Sequence, residues 1–437
     1  MATSKVMGPA WLGPIPPHWP ITRIKYLARI YSGGTPDREK REYWEDGTIP
    51  WLNSGEVNQW LIETPSEFIT EAGFQRSSAK WIPKGALVMA LAGQGKTKGM
   101  VAELGIDATC NQSMAAIVPT DLRTARFLLY WLSANYETIR NTAGGEQRDG
   151  LNLEIVGDIP CPNPDTSLQV AIANYLDHQT ERLEALIMAH QQLHVLLAEK
   201  RVAFVTQAVT RGLDLDVPLR PSNISWLGHI PAHWQLWKLG HLARVGNGST
   251  PSRDNVAYWQ DGTIPWLNSA VVNQAEVTEA DEYVTSVAER ECHLPMVAAG
   301  SVLVGLTGQG KTRGQAAVLS INATINQHLA YITPDHHRLT PWFLRWQLFA
   351  AYDFLRSISD DAGGTKGALT CEEVANLRVA VPPLEEQRAI LEHLDEANSK
   401  IHAVEIATAR TTTLLQERRA SLIAAAVTGR VYLGEAQ

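Results

Sequence analysis

The chain has 437 residues, of which 45% are hydrophobic and 19% charged, and its formal net charge is −8. This length allows about two to four domains with ample cores. No run is long and apolar enough for a signal peptide or a membrane span, so we expect a cytoplasmic protein. The acidic balance argues against a protein that holds nucleic acid through bulk positive charge alone.

The chain contains two copies of one domain-sized sequence. Three blocks recur at one shared offset of 215 residues: 11–19 as 226–234, 43–54 as 258–269, and 93–99 as 308–314. This period is too long for a solenoid. We therefore expect globular domains at 1–165 and 226–383, long helices at 166–210 and 384–430, and a linker at 211–225.

Each globular copy carries the pattern of a small α/β domain of about 150 residues. Residues 49–52 favour a strand, and the apolar runs 85–91 and 300–306 favour buried strands that lead into a glycine-rich turn. Residues 100–104 and 315–319 are the expected return strands. The amphipathic segments 121–138 and 339–358 are expected to be helical. These elements indicate a twisted mixed sheet whose strand order stays open.

Two long helices follow from a seam that steps alternately by four and three residues; in the first helix Gln179, His190 and Lys200 fill the places between the apolar residues. Asp165 or Ser167 is a candidate cap for the first helix, and Arg211-Gly212 is a candidate stop. The expected seams are Ile172, Leu176, Leu183, Leu186, Leu193, Leu197 and Phe204 in the first helix, and Ile390, Leu394, Ala397, Ile401, Val404, Thr408, Leu415 and Leu422 in the second. Each seam needs a partner, so we expect the two helices to pair, and the fold class to be α+β.

One motif matches a nucleotide-binding pattern. Residues 305–312 (GLTGQGKT) fit the phosphate-binding loop G-x-x-x-x-G-K-[ST]. That loop needs a helix after its lysine, whereas Gly314 follows within two residues and the first copy has Ala90 at the leading glycine. We interpret the glycines instead as a tight hairpin in each copy. The hairpins are expected to present Gln94, Lys96, Thr97 and Lys98 in the first copy, and Gln309, Lys311, Thr312 and Arg313 in the second.

Other polar loops also recur between the copies. Asn, Gln, Arg and Lys read base edges in DNA, while Lys, Arg, Ser and Thr hold phosphates. The candidate DNA-contacting residues of these loops are Thr35, Asn53, Ser54, Asn58, Gln59, Gln147 and Arg148 in the first copy, and Thr250, Asn268, Ser269, Asn273, Gln274, Thr365 and Lys366 in the second. For the Asn-Ser and Asn-Gln pairs, a purely structural role in satisfying backbone groups of turns stays open.

The sequence has no recognisable catalytic or metal-binding pattern. Its four cysteines, Cys110, Cys161, Cys292 and Cys371, have no CxxC spacing and are expected to be buried, reduced thiols. Neither globular copy is net basic: residues 1–160 hold 16 basic and 17 acidic side chains, and residues 226–380 hold 11 and 14. Either the basic residues gather on one surface, or a partner supplies many phosphate contacts.

The duplicated order of these elements resembles the specificity subunit of type I restriction–modification systems. The similarity lies in WLGxIPxHW (11–19, 226–234), YWxDGxIPWLNS (43–54, 258–269), AVTRGLD (208–214) and PPLEEQRAIL (382–391), and it covers nearly the whole chain. The first helix departs from the pattern, because residues 162–169 lack the LEEQ of the second.

The resemblance implies that each globular copy is a target-recognition domain that reads one half of a split double-stranded DNA sequence. It also implies that the helices pair antiparallel, set the spacer, and dock two modification (methyltransferase) subunits, through which restriction subunits join. The chain itself would bind no cofactor and no metal, whereas S-adenosylmethionine, ATP and Mg would act on the partner subunits. Two other classes stay open: a nucleotide-binding enzyme that uses Lys311, and a coiled-coil scaffold without DNA readout.

Overall fold

The computed structural model describes residues 13–93, 95–142, 150–308, 310–360 and 367–431. The chain divides into two compact units. One contains residues 1–191 and 410–437, and the other contains residues 192–409. Each unit therefore includes one globular copy and parts of both long helices. The finer domain boundaries within this division stay a prediction.

The first globular copy is built on two sheets. The larger sheet has the strand order Ala28–Ser32, Met114–Pro119, Leu87–Ala90, Val101–Leu104, Leu61–Ile62; all neighbours are antiparallel except the last pair. The smaller sheet has the order Glu67–Ile69, Ile49–Leu52, Thr109–Cys110, and its second pair is parallel. A separate ribbon pairs Ile21–Arg23 with Pro160–Pro162. The predicted mixed sheet is thus confirmed.

Helices cover one face of the larger sheet. Alternate strand residues divide between two cores: Leu87 and Met89 pack in the core that includes Phe127, while Val88 and Ala90 pack in the other. The helices of this copy are Glu71–Gln75, Ala125–Ala134, Tyr136–Asn141 and Leu153–Asp158, with short 3₁₀ turns at Ile24–Tyr26, Arg41–Tyr43, Ser54–Asn58 and Leu122–Thr124.

The helix predicted over 121–138 is interrupted at Asn135. Its side-chain Nδ2 donates a hydrogen bond to the carbonyl of Trp131 at 2.8 Å, and its ψ of 16° lies outside the helical range. The helix predicted over 339–358 is interrupted at the aligned Ala351, with a ψ of 2°, so the break does not depend on an asparagine side chain.

The second globular copy repeats this architecture. Its larger sheet has the order Ala243–Asn247, Leu329–Pro334, Ser301–Gly305, Ala316–Leu319, Glu276–Val277, and its smaller sheet has the order Glu282–Val284, Ile264–Leu267, Thr324–Ile325. The remaining strands are Leu219–Pro221 with His229–Pro231 and Gln235–Lys238 with Arg378–Val381. Its helices and 3₁₀ turns are Ser286–Glu291, Pro341–Ala350, Tyr352–Asp360, Cys371–Asn376, Leu239–His241, Val256–Tyr258 and Ser269–Asn273.

The two long helices run from Thr166 to Arg211 and from Leu384 to Val427. The first begins at the predicted residue 166 and ends one residue beyond the predicted 210, while the second begins at the predicted 384 and ends three residues before the predicted 430. Asp165 Oδ1 accepts a hydrogen bond from the backbone N–H of Leu168 at 3.0 Å, which makes Asp165 the cap. Gly212 follows the end of the helix with a φ of 75°, a conformation that favours glycine.

The long helices pack antiparallel within each unit. In the first unit, Ile172 and Leu176, near the start of one helix, share a core with Ile423 and Val427, near the end of the other. Arg419 also pairs with Glu184 across the two helices at 2.7 Å. In the second unit the relation is the same: Val205, Ala208 and Val209 share a core with Ile390 and Leu394. The α+β class with antiparallel helices is confirmed.

Part of the predicted seam is wrong. The seam residues Leu186, Leu193 and Val404 are 49%, 39% and 43% exposed, whereas Thr180, which was not a predicted seam residue, is buried. Thr408 is buried, as the seam predicted. Residues 191–196 of the first helix are all exposed, and six consecutive helical residues cover every face of a helix. The middle of this helix is therefore little packed on any side, which leaves its apolar side chains open to solvent.

The cysteines follow the prediction in part. All four are free thiols; Cys110 and Cys161 are buried, while Cys292 and Cys371 are half-buried. Burial raises the pKa of Cys110 to about 12.

Candidate nucleic-acid interface

The glycine-rich segments form β-hairpins in both copies, as predicted. Strand Leu87–Ala90 pairs antiparallel with Val101–Leu104, and Ser301–Gly305 pairs with Ala316–Leu319. The regular element that follows Lys311 in the described part of the chain is therefore a strand. A phosphate-binding loop needs a helix N-terminus at that place, so the hairpin gives no support to the nucleotide-binding alternative.

Glycine conformations shape the turn. Gly95 and Gly99 have φ values of 70° and 86°, and Gly314 has 84°, a region that L-residues rarely adopt. The backbone N–H of Gly99 closes the hairpin on the carbonyl of Ala90 at 2.8 Å, and Gly314 does the same in the second copy. Lys96 and Lys311 lie exposed on these turns, beside the half-buried Thr97 and Thr312.

The second basic residue of each hairpin lies inside the fold. Lys98 and Arg313 are only 9% and 5% exposed. Arg313 Nη2 lies 2.6 Å from Asp360 Oδ1. Arg313 Nη1 lies so close to Gly367 that any side chain at Gly367 would clash, since its Cβ would be only 2.0 Å away. The Arg313 guanidinium therefore pairs with the end of helix Tyr352–Asp360 and lies close to Gly367. Lys96 and Lys311 are the exposed basic groups among the described hairpin residues.

Two helix side chains that the sequence reasoning missed also contact each hairpin. They are Tyr136 and Arg140 in the first copy, and Tyr352 and Arg356 in the second. A signal was present in the sequence, because both copies keep a Tyr-x-x-x-Arg spacing on the helix that follows the sheet. Residues four apart share one helix face.

In the first copy the structure brings the hairpin and an Asn-Gln loop together. Asn58, Gln59 and Lys96 line one cleft of about 330 Å³, whose wall includes Trp60 and Tyr136. Asn58 and Gln59 are exposed, and Asn58 Nδ2 donates to the carbonyl of Gly55 at 2.7 Å, which is the structural role left open for this asparagine. Amide and ammonium groups therefore converge beside an aromatic wall.

The corresponding loop of the second copy is also exposed. Asn273 and Gln274 are open to solvent. Ala275 follows them where the first copy has Trp60, so the second copy presents the same amides beside a smaller side chain.

The Asn-Ser pairs have a structural role in the loops. Asn53 Oδ1 accepts from the backbone N–H of Gly55 at 2.8 Å, and Asn268 Oδ1 accepts from Ala270 at 2.9 Å. These asparagines cap the 3₁₀ turns, of which Ser54 and Ser269 are the half-buried first residues. The structural reading that the sequence left open therefore accounts for the asparagine oxygens.

A threonine is linked to a glutamine in each copy. Thr35 Oγ1 donates to Gln112 Oε1 at 2.5 Å, and Thr250 Oγ1 donates to Gln327 Oε1 at 2.7 Å. Both glutamines are exposed. Because the threonine occupies the oxygen, each glutamine is oriented with its amide N–H groups available to other acceptors.

The second copy extends this link through a histidine. His328 Nε2 lies 3.2 Å from Gln327 Nε2, and His328 Nδ1 lies 3.0 Å from Thr307 Oγ1. The first copy has Ser113 at this place. The two copies therefore present different polar groups beside otherwise similar hairpins.

A stacked arginine recurs beside the threonine and was also missed. The Arg38 guanidinium lies 3.8 Å from the Trp44 ring, and that of Arg253 lies 3.8 Å from the Trp259 ring. Arg253 also pairs with Glu282 at 2.6 Å; this hydrogen bond lowers the pKa of Glu282 and raises that of Arg253. These arginines brace the loop, with their charge balanced by a carboxylate. The T-P-x-R spacing shared by the copies was the available signal.

Six candidate residues lie outside the described residues: Gln94, Gln147, Arg148, Gln309, Thr365 and Lys366. Within the described ranges, no group of three or more His, Cys, Asp or Glu side chains is arranged to hold a metal ion. No helix in the same ranges is both long enough and apolar enough to cross a membrane.

Two homologous α/β domains, each with exposed polar loops around a hairpin and each resting on paired helices, define a duplicated recognition protein. The family model described as "Type I restriction modification DNA specificity domain" matches residues 16–191 and 231–409. These two matches cover most of the chain, one on each copy. The chain belongs to this family.

Relatives and solved structures agree with this assignment. The chain is 22% identical over 389 residues to the type I restriction enzyme MjaIX specificity subunit of Methanocaldococcus jannaschii, covering 85% of each. It is 23% identical over 203 residues to the EcoR124I/EcoR124II specificity subunit of Escherichia coli, covering 46% of this chain and 45% of that one.

Two solved structures share the fold. A chain from a type I R-M system, solved to explain its complex assembly and conformational transition, superposes with a TM-score of 0.67 at 19% identity over 95% of this chain and 99% of that one. The HsdS subunit of Thermoanaerobacter tengcongensis gives 0.57 at 17% identity over 95% and 98%.

Proposed function

We propose that this chain is the DNA-recognition subunit of a type I restriction–modification complex, in which each globular copy reads one half of a bipartite target. The observation that carries the proposal is the recurrence of the same exposed groups in both copies of a DNA specificity domain: the hairpin lysine, the Asn-Gln pair and the threonine-oriented glutamine.

The exposed groups suit the two tasks of DNA recognition. The ammonium groups of Lys96 and Lys311 suit phosphates or guanine edges, and the amides of Gln59 and Gln274 suit adenine edges. Because Lys98 and Arg313 are buried, they support the hairpin and are not proposed as contacts. The glutamines oriented by Thr35 and Thr250 join the proposed set.

The acidic balance of the chain favours a shared interface with DNA. Each globular copy has at least as many acidic as basic residues, so the neutralisation of phosphates falls partly to partner subunits. We propose two modification subunits, with restriction subunits joined through them. Methylation and cleavage belong to those partners, which carry S-adenosylmethionine, ATP and Mg, and this chain is not itself an enzyme.

The paired helices are proposed to set the spacer and dock the partners. Exposed apolar side chains concentrate in the middle of the two helices: Leu186, Met188, Leu193, Val195, Leu196, Val404 and Ile406. We take this concentration, which a single exposed leucine would not give, as the proposed docking surface.

Mapping of methylated bases in cells tests the function. Cells carry the chain with its modification subunits, or the modification subunits alone, and methylated positions are read across the genome. We expect one split motif that depends on the chain, and a Lys96→Ala variant should relax or weaken one half of it. Methylation that does not depend on the chain, or a contiguous motif, would refute the proposal.

A further inference from the structure

In each copy a tyrosine on the neighbouring helix donates a hydrogen bond to the backbone of the hairpin. The Tyr136 hydroxyl donates to the backbone carbonyl of Lys96, and the Tyr352 hydroxyl donates to the carbonyl of Lys311 at 2.9 Å. These carbonyls belong to the two residues that present the exposed ammonium groups. Each tyrosine therefore fixes a peptide plane directly next to a proposed DNA contact.

An arginine one turn further along the helix holds the preceding peptide. Arg140 donates to the carbonyl of Gly95, and Arg356 Nη1 donates to the carbonyl of Gly310 at 2.7 Å. Each arginine also donates to the hydroxyl of its own tyrosine, at 3.0 Å in the first copy and 3.2 Å in the second. Two successive hairpin carbonyls are thus bound by one connected Tyr–Arg pair.

The hairpin needs such support because glycines loosen it. Gly93, Gly95 and Gly99 all lie in or near the turn, and glycine loses more backbone entropy on ordering than any other residue. A loop that becomes ordered only on binding loses conformational entropy at that step, which lowers its affinity. A loop that is already ordered avoids this cost. Charge-assisted hydrogen bonds from arginine are among the stronger ones available for this purpose.

We propose that Tyr136–Arg140 and Tyr352–Arg356, together called the hairpin clamps, are positioning residues that hold Lys96 and Lys311 ready for DNA. This inference rests on the proposed function and deepens it. Neither member of a clamp needs to touch DNA. Each clamp serves the half of the target that its own copy reads.

The test uses the full chain assembled with its modification subunits. Tyr136→Phe and Arg140→Met remove the clamp donors of the first copy, and Tyr352→Phe serves as the matched change in the second. Amide hydrogen exchange reports hairpin order without DNA, and footprinting reports each half of the target separately. Arg123→Met is a control, because Arg123 is an exposed arginine of the first copy that pairs with its neighbour Asp121.

Loss of one such hydrogen bond should weaken protection of one half of the target by about 3- to 10-fold. The other half should keep its protection, and Tyr352→Phe should give the reverse pattern. Hairpin amides should exchange faster in the altered copy alone. The salt dependence of binding should stay unchanged, because no phosphate contact is removed. Arg140→Lys keeps a donor and should restore part of both effects.

Two results would overturn the proposed positioning role. If hairpin exchange stays at the wild-type rate, the Tyr–Arg pairs do not order the hairpins. If exchange is faster but both halves keep wild-type protection, the pairs order hairpins that do not read DNA, and the proposed function stands through other loops. A wild-type complex that shows no sequence-selective protection would overturn both the clamps and the proposed function.

Discussion

Replacement of Arg345 by leucine should stabilise the free chain. Arg345 lies on helix Pro341–Ala350, with its guanidinium 4.7 Å from the Trp346 ring. Its Nε and Nη1 atoms are buried and have no hydrogen-bond partner among the described residues. Burial, and to a smaller degree the charge of Arg201, lowers the pKa of Arg345 to about 10 from 12.5. The folded state thus penalises this cation.

The size of the effect follows from that pKa. A lowering from 12.5 to about 10 corresponds to about 3 kcal/mol of penalty on the charged form as an upper bound, at 1.36 kcal/mol per pKa unit. The variant also loses the cation–π contact with Trp346, which reduces the expected gain by about 0.5–1 kcal/mol. The first copy shows that leucine suits this position, because its aligned residue, Leu129, is fully buried. We expect a net gain of about 1–3 kcal/mol.

Calorimetric thermal unfolding of the full chain measures the gain. Each kcal/mol should raise the midpoint of the second unit by about 2–4 °C. The control is Arg338→Leu, since the Arg338 guanidinium also stacks on a tryptophan, Trp237, at 4.3 Å. This substitution should lower the midpoint or leave it unchanged. A lower midpoint for Arg345→Leu would show that Arg345 makes a stabilising contact and would refute the reasoning.

The pH dependence of the gain has a definite sign. Arg345 is a cation whose pKa in the folded state lies below its value in the unfolded chain. The penalty is therefore complete below about pH 10 and fades as the pH rises through that value. The difference between variant and wild type should be constant near neutral pH and should narrow above about pH 10.

Three further predictions concern the hairpins, the helices and the core. Lys96→Ala and Lys311→Ala should each weaken binding to a different half of the target. The loss should be about 1–3 kcal/mol if the lysine reads a base, whereas loss of a phosphate contact would lower the salt dependence of binding for every sequence. Wild-type binding by both variants would contradict this prediction. A seven-residue insertion near His190, with a matching insertion near Thr408, lengthens the helices by about 10 Å. It should widen the spacer of the DNA target by about three base pairs without changing the bases read in either half. If methylation mapping finds an unchanged spacer, the helices do not set it. Cys110, whose pKa burial raises to about 12, should resist thiol reagents in the native chain and react at the rate of unfolding, and rapid native labelling would contradict its burial.

Elements that depend on local pattern could be predicted from the sequence. The two long helices follow from apolar spacing without glycine or proline, and the first ends at Arg211 because Gly212 can adopt a φ of 75°. The hairpins follow from buried β runs that flank glycines, and the duplication follows from a shared offset. The helix and hairpin signals lie in local stretches of the chain, and the duplication is found by comparing the sequence with itself, so no knowledge of tertiary contacts was needed.

Whether an individual polar side chain is exposed or buried, and which group it contacts, depended on the tertiary structure. Lys96 and Lys98 are two residues apart in one hairpin, yet the first is exposed and the second is buried. Arg313 is buried on Asp360, 47 residues away in the chain, and Tyr136 reaches Lys96 across 40 residues. The recurring Tyr-x-x-x-Arg spacing marks Tyr136 and Arg140 but does not name their partners, because the sheet and the helices decide which groups meet. For the same reason, only the packed helices decided which predicted seam residues face solvent.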